Sequence, residues 1–428
     1  MIMDALTVEP APRGLHGRLR VPGDKSISHR AALIAALAPG PSRLVGLSRG
    51  DDVAHTLAAV ARCGAVVDGT PPGEVVIEGG RLHEPAAVID VGNSGTGIRL
   101  LAGWAARLPW LTVLQGDESI ARRPMGRVAE PLRAMGATID GRDGGRYPPL
   151  VVWGGDLRGI DYAPPTASAQ VKSAVMFAAL GADGPTTVRE AVPTRAHTEE
   201  LLTLAGARLE ATPGAVTVWP STLHPIDLDV PGDPSQAAFW VVAACVVPGS
   251  DLLVEHVYVG PGRAGFLDVL IRMGAEVSLE RHDPSQHTAD IRARASALRA
   301  TDVGGREVPD LIDEIPVLAV AAAHAQGVTT FADAAELKVK ETDRIATVTS
   351  ELSAIGAAVE PRPDGLVVTG DPSHRLVGGT AVSHGDHRIA MALAVAALGA
   401  AAPVRINGWN AVATSYPGFE EDLQRCVS

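Results

Sequence analysis

The stretch Val21-Pro22-Gly23-Asp24-Lys25-Ser26-Ile27-Ser28-His29-Arg30, followed at once by Ala31-Ala32-Leu33-Ile34-Ala35-Ala36-Leu37-Ala38, decides how this chain is read. A Pro-Gly-Asp turn breaks the backbone, polar and cationic side chains follow, and an apolar helix begins. A helix start leaves backbone N–H groups unpaired and carries a partial positive charge. Lys25, Ser26 and Arg30 crowd that same place. Taken alone, the stretch is either a capped, solvated helix start or a phosphate site. Its recurrence along the chain bears on the choice.

The apolar helix returns five times, over residues 97–108, 170–180, 236–247, 314–325 and 387–398. With His29, Ile98, Gln170, Gln236, Glu314 and His387 as markers, the spacings are 69, 72, 66, 78 and 73 residues. A second element alternates with it: an amphipathic helix ending in Gly-Ala, at Gly64-Ala65, Gly136-Ala137, Gly206-Ala207, Gly274-Ala275 and Gly356-Ala357. Glycine there suits a left-handed C-cap. Each Gly-Ala leads into alternating strand residues, a turn and a second strand. The last copy has only its helix, 419–426, and strand residues for it are expected from the N-terminal segment 15–21, closing the array on itself. The pattern predicts an α/β fold of six βαβαββ-type units, longer than ordinary solenoid repeats. Six units of this size fit two domains of three. Val230-Pro231-Gly232-Asp233 echoes the opening turn, so the split is placed there. One domain is expected from 1–21 plus 231–428 and the other from 22–230, with a two-stranded hinge near 21 and 231 and the active site in the cleft between the domains.

Composition bounds the function. The 428 residues are 46% hydrophobic, enough for sizeable cores. A formal net charge of −12 and 4% aromatics argue against a nucleic-acid or anionic-membrane surface. Cys63, Cys245 and Cys426 lie far apart, without a CxxC pair, and are expected to be free thiols in a reducing, cytoplasmic setting. Residues 1–13 contain no apolar signal core, and the longest apolar run, 389–404, is interrupted by Gly399 and Pro403.

If the apolar helices are equivalent, their starts are equivalent, and those starts hold most of the unusual polar residues. After Lys25, Ser26 and Arg30 come Gly92-Asn93-Ser94-Gly95-Thr96-Gly97, then Thr166, Ser168, Gln170 and Lys172, then Asp233, Ser235 and Gln236, then Asp310, Asp313 and Glu314, then His384, Asp386, His387 and Arg388. The glycine-rich start is either an anion cradle or a tight turn. Arg122-Arg123-Pro124 adds two cations nearby. In Lys340-Glu341-Thr342-Asp343-Arg344 the spacing lets Lys340 and Arg344 share a helix face; the alternative is a surface ion-pair run. Asp313, ahead of a buried-looking helix, is either a general base or an N-cap. Asp386-His387-Arg388 is either a further site element or a capped start with a structural histidine. No metal-ligand cluster, Walker loop, strand–GxGxxG–helix or nucleophile elbow occurs. The chemistry is therefore expected to run on acid, base and cationic clamps, with no cofactor and no metal.

These residues carry a resemblance. Pro-Gly-Asp-Lys-Ser-Ile-Ser-His-Arg at 22–30, Gly-Asn-Ser-Gly-Thr at 92–96, Ser-Ala-Gln-Val-Lys-Ser at 168–173, Lys-Glu-Thr-Asp-Arg at 340–344 and Asp-His-Arg at 386–388 stand in the order found in the EPSP synthase family. The chain resembles that family throughout its length. The resemblance implies two inside-out αβ domains of three repeats each. It implies transfer of the enolpyruvyl group of phosphoenolpyruvate to the 5-hydroxyl of shikimate 3-phosphate. On this sequence it implies that Lys25, Ser26, Arg30, Ser168, Ala169, Gln170, Arg195, Asp313 and Lys340 hold shikimate 3-phosphate. Lys25, Gly95, Arg123, Gln170, Arg344 and Arg388 would hold phosphoenolpyruvate, with Asn93, Thr96 and His387 as further candidates. Asp313 would accept the hydroxyl proton and Glu341 would protonate the methylene carbon, with Lys25 touching both substrates. It implies a monomer acting on small molecules, binding neither nucleic acid nor membrane. Many members carry a lysine before the aromatic-Pro near the C-terminus, where this chain has Thr414-Ser415-Tyr416-Pro417. The competing readings are a UDP-N-acetylglucosamine enolpyruvyl transferase and a non-catalytic anion-binding paralogue. The first usually has Lys-Asn after its first turn and a loop cysteine; this chain has Lys25-Ser26 and no cysteine over 115–124.

Overall fold

The computed structural model describes residues 4–69 and 73–427, so the first three residues of the expected N-terminal tail lie outside the described residues. The chain forms two compact units: Gly23–Val230, and the residues up to Pro22 together with those from Pro231 onward.

Each unit is built around three helices that are apolar on every side beyond their first two turns. In the first they are Lys25–Leu37, Gly95–Ala106 and Ala169–Ala179; in the second, Pro234–Val246, Ile315–Ala323 and His387–Leu398. A helix apolar all round must be buried. Pro234–Cys245 and Ile315–Ala323 accordingly have no exposed residue, and the three helices of the second unit pack on one another. The amphipathic helices are Asp51–Arg62, Gly126–Met135, His197–Leu204, Gly265–Arg272, Arg344–Ala354 and Phe419–Val427. At the ends of the first five, Gly64, Gly136, Gly206, Gly274 and Gly356 all take positive φ, between +78° and +113°. That left-handed turn closes the helix and starts the strand.

Among the described residues the strands form six small sheets, five of four strands and one of three. The complete pattern is clearest in the sheet ordered Ile89–Asp90, Leu111–Gln115, Tyr147–Trp153, Thr138–Gly141. Its first two strands are parallel, joined through the apolar helix Gly95–Ala106, and the remaining pairings are antiparallel.

Two sheets complete themselves by exchange. His16–Leu19 runs in sequence toward the helix Lys25–Leu37, yet it pairs in parallel with Asp251–Tyr258, the strand after the helix Pro234–Val246. Asp227–Asp229 runs toward Pro234–Val246, yet it pairs with Gly40–Val45, the strand after Lys25–Leu37. The last sheet corrects the expectation for the N-terminal segment. Its third strand is Ala5–Val8, antiparallel to Val404–Asn407, whereas 16–19 belongs to the sheet of Asp251–Tyr258. Pro10 and Pro12 break the tail in two, and Leu15 is held by Ser250, its N–H donating to Oγ at 2.9 Å while its carbonyl accepts from the Asp251 N–H at 2.9 Å.

No helix among the described residues is long and apolar enough to cross a membrane. The three cysteines are free and buried; burial pushes the thiols of Cys63 and Cys426 up to about 11 and that of Cys245 to about 12.

Candidate active site

The unusual polar residues do gather at the starts of the apolar helices, and most of those starts are capped. Asp24 accepts from the Ile27 N–H (2.8 Å), Ser94 from Gly97 (2.9 Å), Ser168 from Val171 (3.4 Å), Asp233 from Ser235 (2.8 Å) and Asp386 from Arg388 (2.9 Å). The capped-helix reading and the site reading are thus compatible: one N–H is used per cap, and the rest of the first turn keeps its polarity.

In the unit Gly23–Val230, Lys25 donates to Asp52 Oδ2 at 2.8 Å, with Asp52 nearly buried. Arg30 is 1% exposed and rests on neutral oxygens. Its Nε donates to Thr198 Oγ1 (2.7 Å), one terminal nitrogen to the Ser26 carbonyl (2.8 Å) and Oγ (2.5 Å), and the other to Ser173 Oγ (2.7 Å). It therefore underpins Ser26 from below. His29 joins the first two helix starts, with Nδ1 2.7 Å from Thr56 Oγ1 and Nε2 3.4 Å from Ser94 Oγ. Burial, aided by Lys25 and Arg30, holds its pKa well below the ordinary 6.5, so the ring is neutral. Gln170 joins the second and third starts: its Oε1 accepts from Arg99 and its Nε2 donates to Thr96 Oγ1 at 2.9 Å. Gly95 lies under the Arg123 guanidinium, which a β-carbon there would overlap. Asn93 donates to Asp117 Oδ2 at 2.7 Å. Ala169 follows the Ser168 cap and its carbonyl accepts from Ser173 Oγ at 2.6 Å. Arg195 is half-buried on the segment ahead of the helix His197–Leu204.

In the other unit the cations rest on carboxylates. Asp313 Oδ1 accepts from Lys340 Nζ at 3.0 Å and from Arg344 at 3.3 Å. Arg344, 1% exposed, also bonds Glu341 Oε2 at 2.5 Å and Asp386 Oδ2 at 2.8 Å. Burial alone would lower its pKa; Asp386, Glu341 and Asp313 more than offset that and raise it, so it stays cationic. Lys340 is pushed below the ordinary lysine value by desolvation, with Asp313 opposing. Arg388 donates to the Asp313 carbonyl at 3.2 Å and lies 3.8 Å from Glu314 Oε1. Glu314 is buried, takes a bond from Ser235, and has Arg263 at 4.0 Å; Arg263 in turn bonds Asp233 at 2.5 Å and Ser235 at 3.0 Å. Burial raises the Glu314 pKa, against Arg263 and Arg388. His387 is buried in the first turn of its helix.

Three readings from the sequence change here. Lys340 and Arg344 do not share a helix face: Asp343 caps the helix Arg344–Ala354, accepting from the Ile345 and Ala346 N–H groups, and Lys340 reaches Asp313 from the turn ahead of it. Nor is the run a surface ion-pair run, since Arg344 is buried. Asp313 is not an N-cap, because the helix Ile315–Ala323 begins at Glu314 and the Asp313 carboxylate is turned to Lys340 and Arg344. Sequence reasoning gave no role to Asp52 or Arg263, the partners of Lys25 and of the Asp233–Ser235 start, and only the need of each charge there for an opposite one could have signalled them. Thr414 ends a 3-10 turn, Trp409–Thr414, and is half-buried. No group of three metal-ligating side chains occurs among the described residues.

Chemically, the second arrangement offers two carboxylates held by the same permanent cation, and the first offers cations, hydroxyls and amides. Residues 10–423 match the family described as EPSP synthase (3-phosphoshikimate 1-carboxyvinyltransferase). A 3-phosphoshikimate 1-carboxyvinyltransferase of Gloeobacter violaceus is 50% identical over 429 aligned positions, covering 98% of each chain. One of Geobacillus kaustophilus is 48% identical, covering 96% of this chain and 97% of its own. Among solved structures, EPSP synthase from Acinetobacter baumannii superposes with a TM-score of 0.87 at 38% identity, over 98% of this chain and 97% of that one. The enolpyruvyl transferase NikO from Streptomyces tendae shares the fold, with a TM-score of 0.79 at 18% identity, over 99% of this chain and 97% of its own.

Proposed function

The chain belongs to the EPSP synthase family, and from that premise we propose how its own residues carry the family's reaction. That reaction moves the enolpyruvyl group of phosphoenolpyruvate to the 5-hydroxyl of shikimate 3-phosphate and releases phosphate, within the shikimate pathway to aromatic amino acids.

The observation that carries the assignment of roles is the Asp313 carboxylate between Lys340 and Arg344, with Glu341 on the same guanidinium. Asp313 accepts the proton of the 5-hydroxyl as that oxygen attacks C2 of phosphoenolpyruvate. Glu341 gives a proton to the methylene carbon, which becomes a methyl group. The result is a tetrahedral ketal phosphate. Glu341 then takes a proton back from that methyl group as the C–O bond to phosphate breaks, the proton held by Asp313 leaves with the phosphate, and the double bond is restored. Arg344, cationic throughout, keeps base and acid in register and with Arg388 faces the anionic groups of phosphoenolpyruvate. Lys25, Ser26, Ser168, Ala169, Gln170, Arg195 and Lys340 hold shikimate 3-phosphate, with Arg30 fixing Ser26. Lys25, Gly95, Arg123 and Gln170 complete the phosphoenolpyruvate set, beside Asn93, Thr96 and His387.

The test is phosphate release with purified protein. Turnover that requires both phosphoenolpyruvate and shikimate 3-phosphate is the expected result. No turnover with that pair, together with turnover on UDP-N-acetylglucosamine, would overturn it.

A further inference from the structure

The helix Ala169–Ala179 is apolar except near its start, where Lys172 and Ser173 stand among Val171, Ala174, Val175, Met176 and Phe177. Lys172 is 1% exposed. A buried ammonium is costly unless its donors are used and its charge is matched. Here all three donors find acceptors: Glu190 Oε2 at 2.9 Å, Glu199 Oε1 at 2.7 Å and the Thr194 carbonyl at 3.4 Å. These acceptors are not spread at random. Glu190 follows the strand Thr186–Arg189, and Glu199 lies in the first turn of the helix His197–Leu204. Between them residues 190–196 have no regular structure, and Thr194 immediately precedes Arg195. Thr194 Oγ1 also donates to Glu190, and Ser173 Oγ lies 2.6 Å from Thr198 Oγ1. One side chain thus gathers both ends of the segment that carries Arg195, and it does so from the helix whose start carries Ser168, Ala169 and Gln170.

We propose that Lys172 is a positioning residue for shikimate 3-phosphate: its ammonium sets the 190–196 segment against the start of the helix Ala169–Ala179, and so sets Arg195 against Ser168 and Gln170. The proposal rests on the reading above that Arg195 and residues 168–170 hold that substrate. A residue needed only for folding would lower stability without separating the two substrates. A positioning residue changes the apparent affinity for one of them.

The experiment compares Lys172→Met, Lys172→Arg, Glu190→Gln and Arg195→Ala in the full chain, with KM measured for each substrate at saturation of the other. Lys172→Met and Glu190→Gln should raise KM for shikimate 3-phosphate about tenfold, leaving KM for phosphoenolpyruvate and kcat within about twofold. Lys172→Arg should restore most of the loss, and Lys172→Met should add little on an Arg195→Ala background. Should Lys172→Met fail to fold, Glu190→Gln, which leaves Glu199 on the ammonium, still decides the matter. If Arg195→Ala raises KM for shikimate 3-phosphate while Lys172→Met and Glu190→Gln do not, the clamp is refuted and the substrate assignment stands. If Arg195→Ala leaves that KM unchanged, the assignment of Arg195 falls and the clamp with it.

Discussion

Arg30 and Arg344 are both buried guanidinium groups at 1% exposure, each near the start of a helix, one in each unit. They are supported in opposite ways. Arg30 rests on the oxygens of Ser26, Ser173 and Thr198. Arg344 rests on Asp313, Glu341 and Asp386. Neutral oxygens orient a cation and bring no charge of their own; carboxylates orient it and also hold it in its charged form. The first arrangement suits a region that only holds anionic substrates. On the proposed roles the second suits one that must also move protons, because it keeps Asp313 and Glu341 in a fixed relation to a charge that never leaves.

The contrast can be broken in three places. The largest effect is expected at Asp313. Asp313→Ala should lower kcat by roughly 10²–10⁴-fold with much smaller changes in KM, measured by phosphate release. An unchanged kcat would remove it as the base. Next comes stability. Asp386→Ala leaves Arg344 short of a charged partner and should cost about 3–5 kcal/mol in urea unfolding. Thr198→Val removes one hydroxyl from Arg30 and should cost about 1–3 kcal/mol. Equal losses would mean that the two supports do not differ as described. The smallest effect is pH-dependent and belongs to the unit of Arg30. His29 has a depressed pKa in the folded chain, so below about 6.5 the unfolded chain binds the extra proton. Stability therefore falls as pH drops from 6.5 toward the folded value and is level in this respect above it. His29→Asn should flatten that part of the profile; an identical slope in both proteins would assign the dependence elsewhere.

Much of the fold was legible because it is written locally and repeated. An apolar helix can be seen six times over and a Gly-Ala stop with an alternating strand five times, and the left-handed glycines sit where the stops predicted. Local pattern gives no partner at long range. The tail shows this: 5–8 and 16–19 look alike as short strands, and only pairing partners some 235 to 400 residues away separate them. The site divides in the same way. Lys25, Asp313, Glu341 and Arg344 stand out as charges where a core face was due. Asp52, Arg263 and the clamp formed by Lys172 with Glu190 and Glu199 are visible only once distant segments are brought together. The helix-face reading of 340–344 failed for a nearer reason, since Asp343 is itself a strong cap, so the helix starts at Arg344 and Lys340 lies ahead of it.

The exchange of His16–Leu19 and Asp227–Asp229 between sheets also orders events in time. On a ribosome the stretch Gly23–Val230 has emerged entirely, with its last strand available to its first sheet, before the helix Pro234–Val246 is complete. Residues 16–19 wait only until the strand that begins at Asp251, but residues 5–8 wait much longer, because their partner begins at Val404. Synthesis therefore finishes the inserted unit first and closes the other around a segment made before it, so the last sheet to form is also the one that contains the earliest described strand.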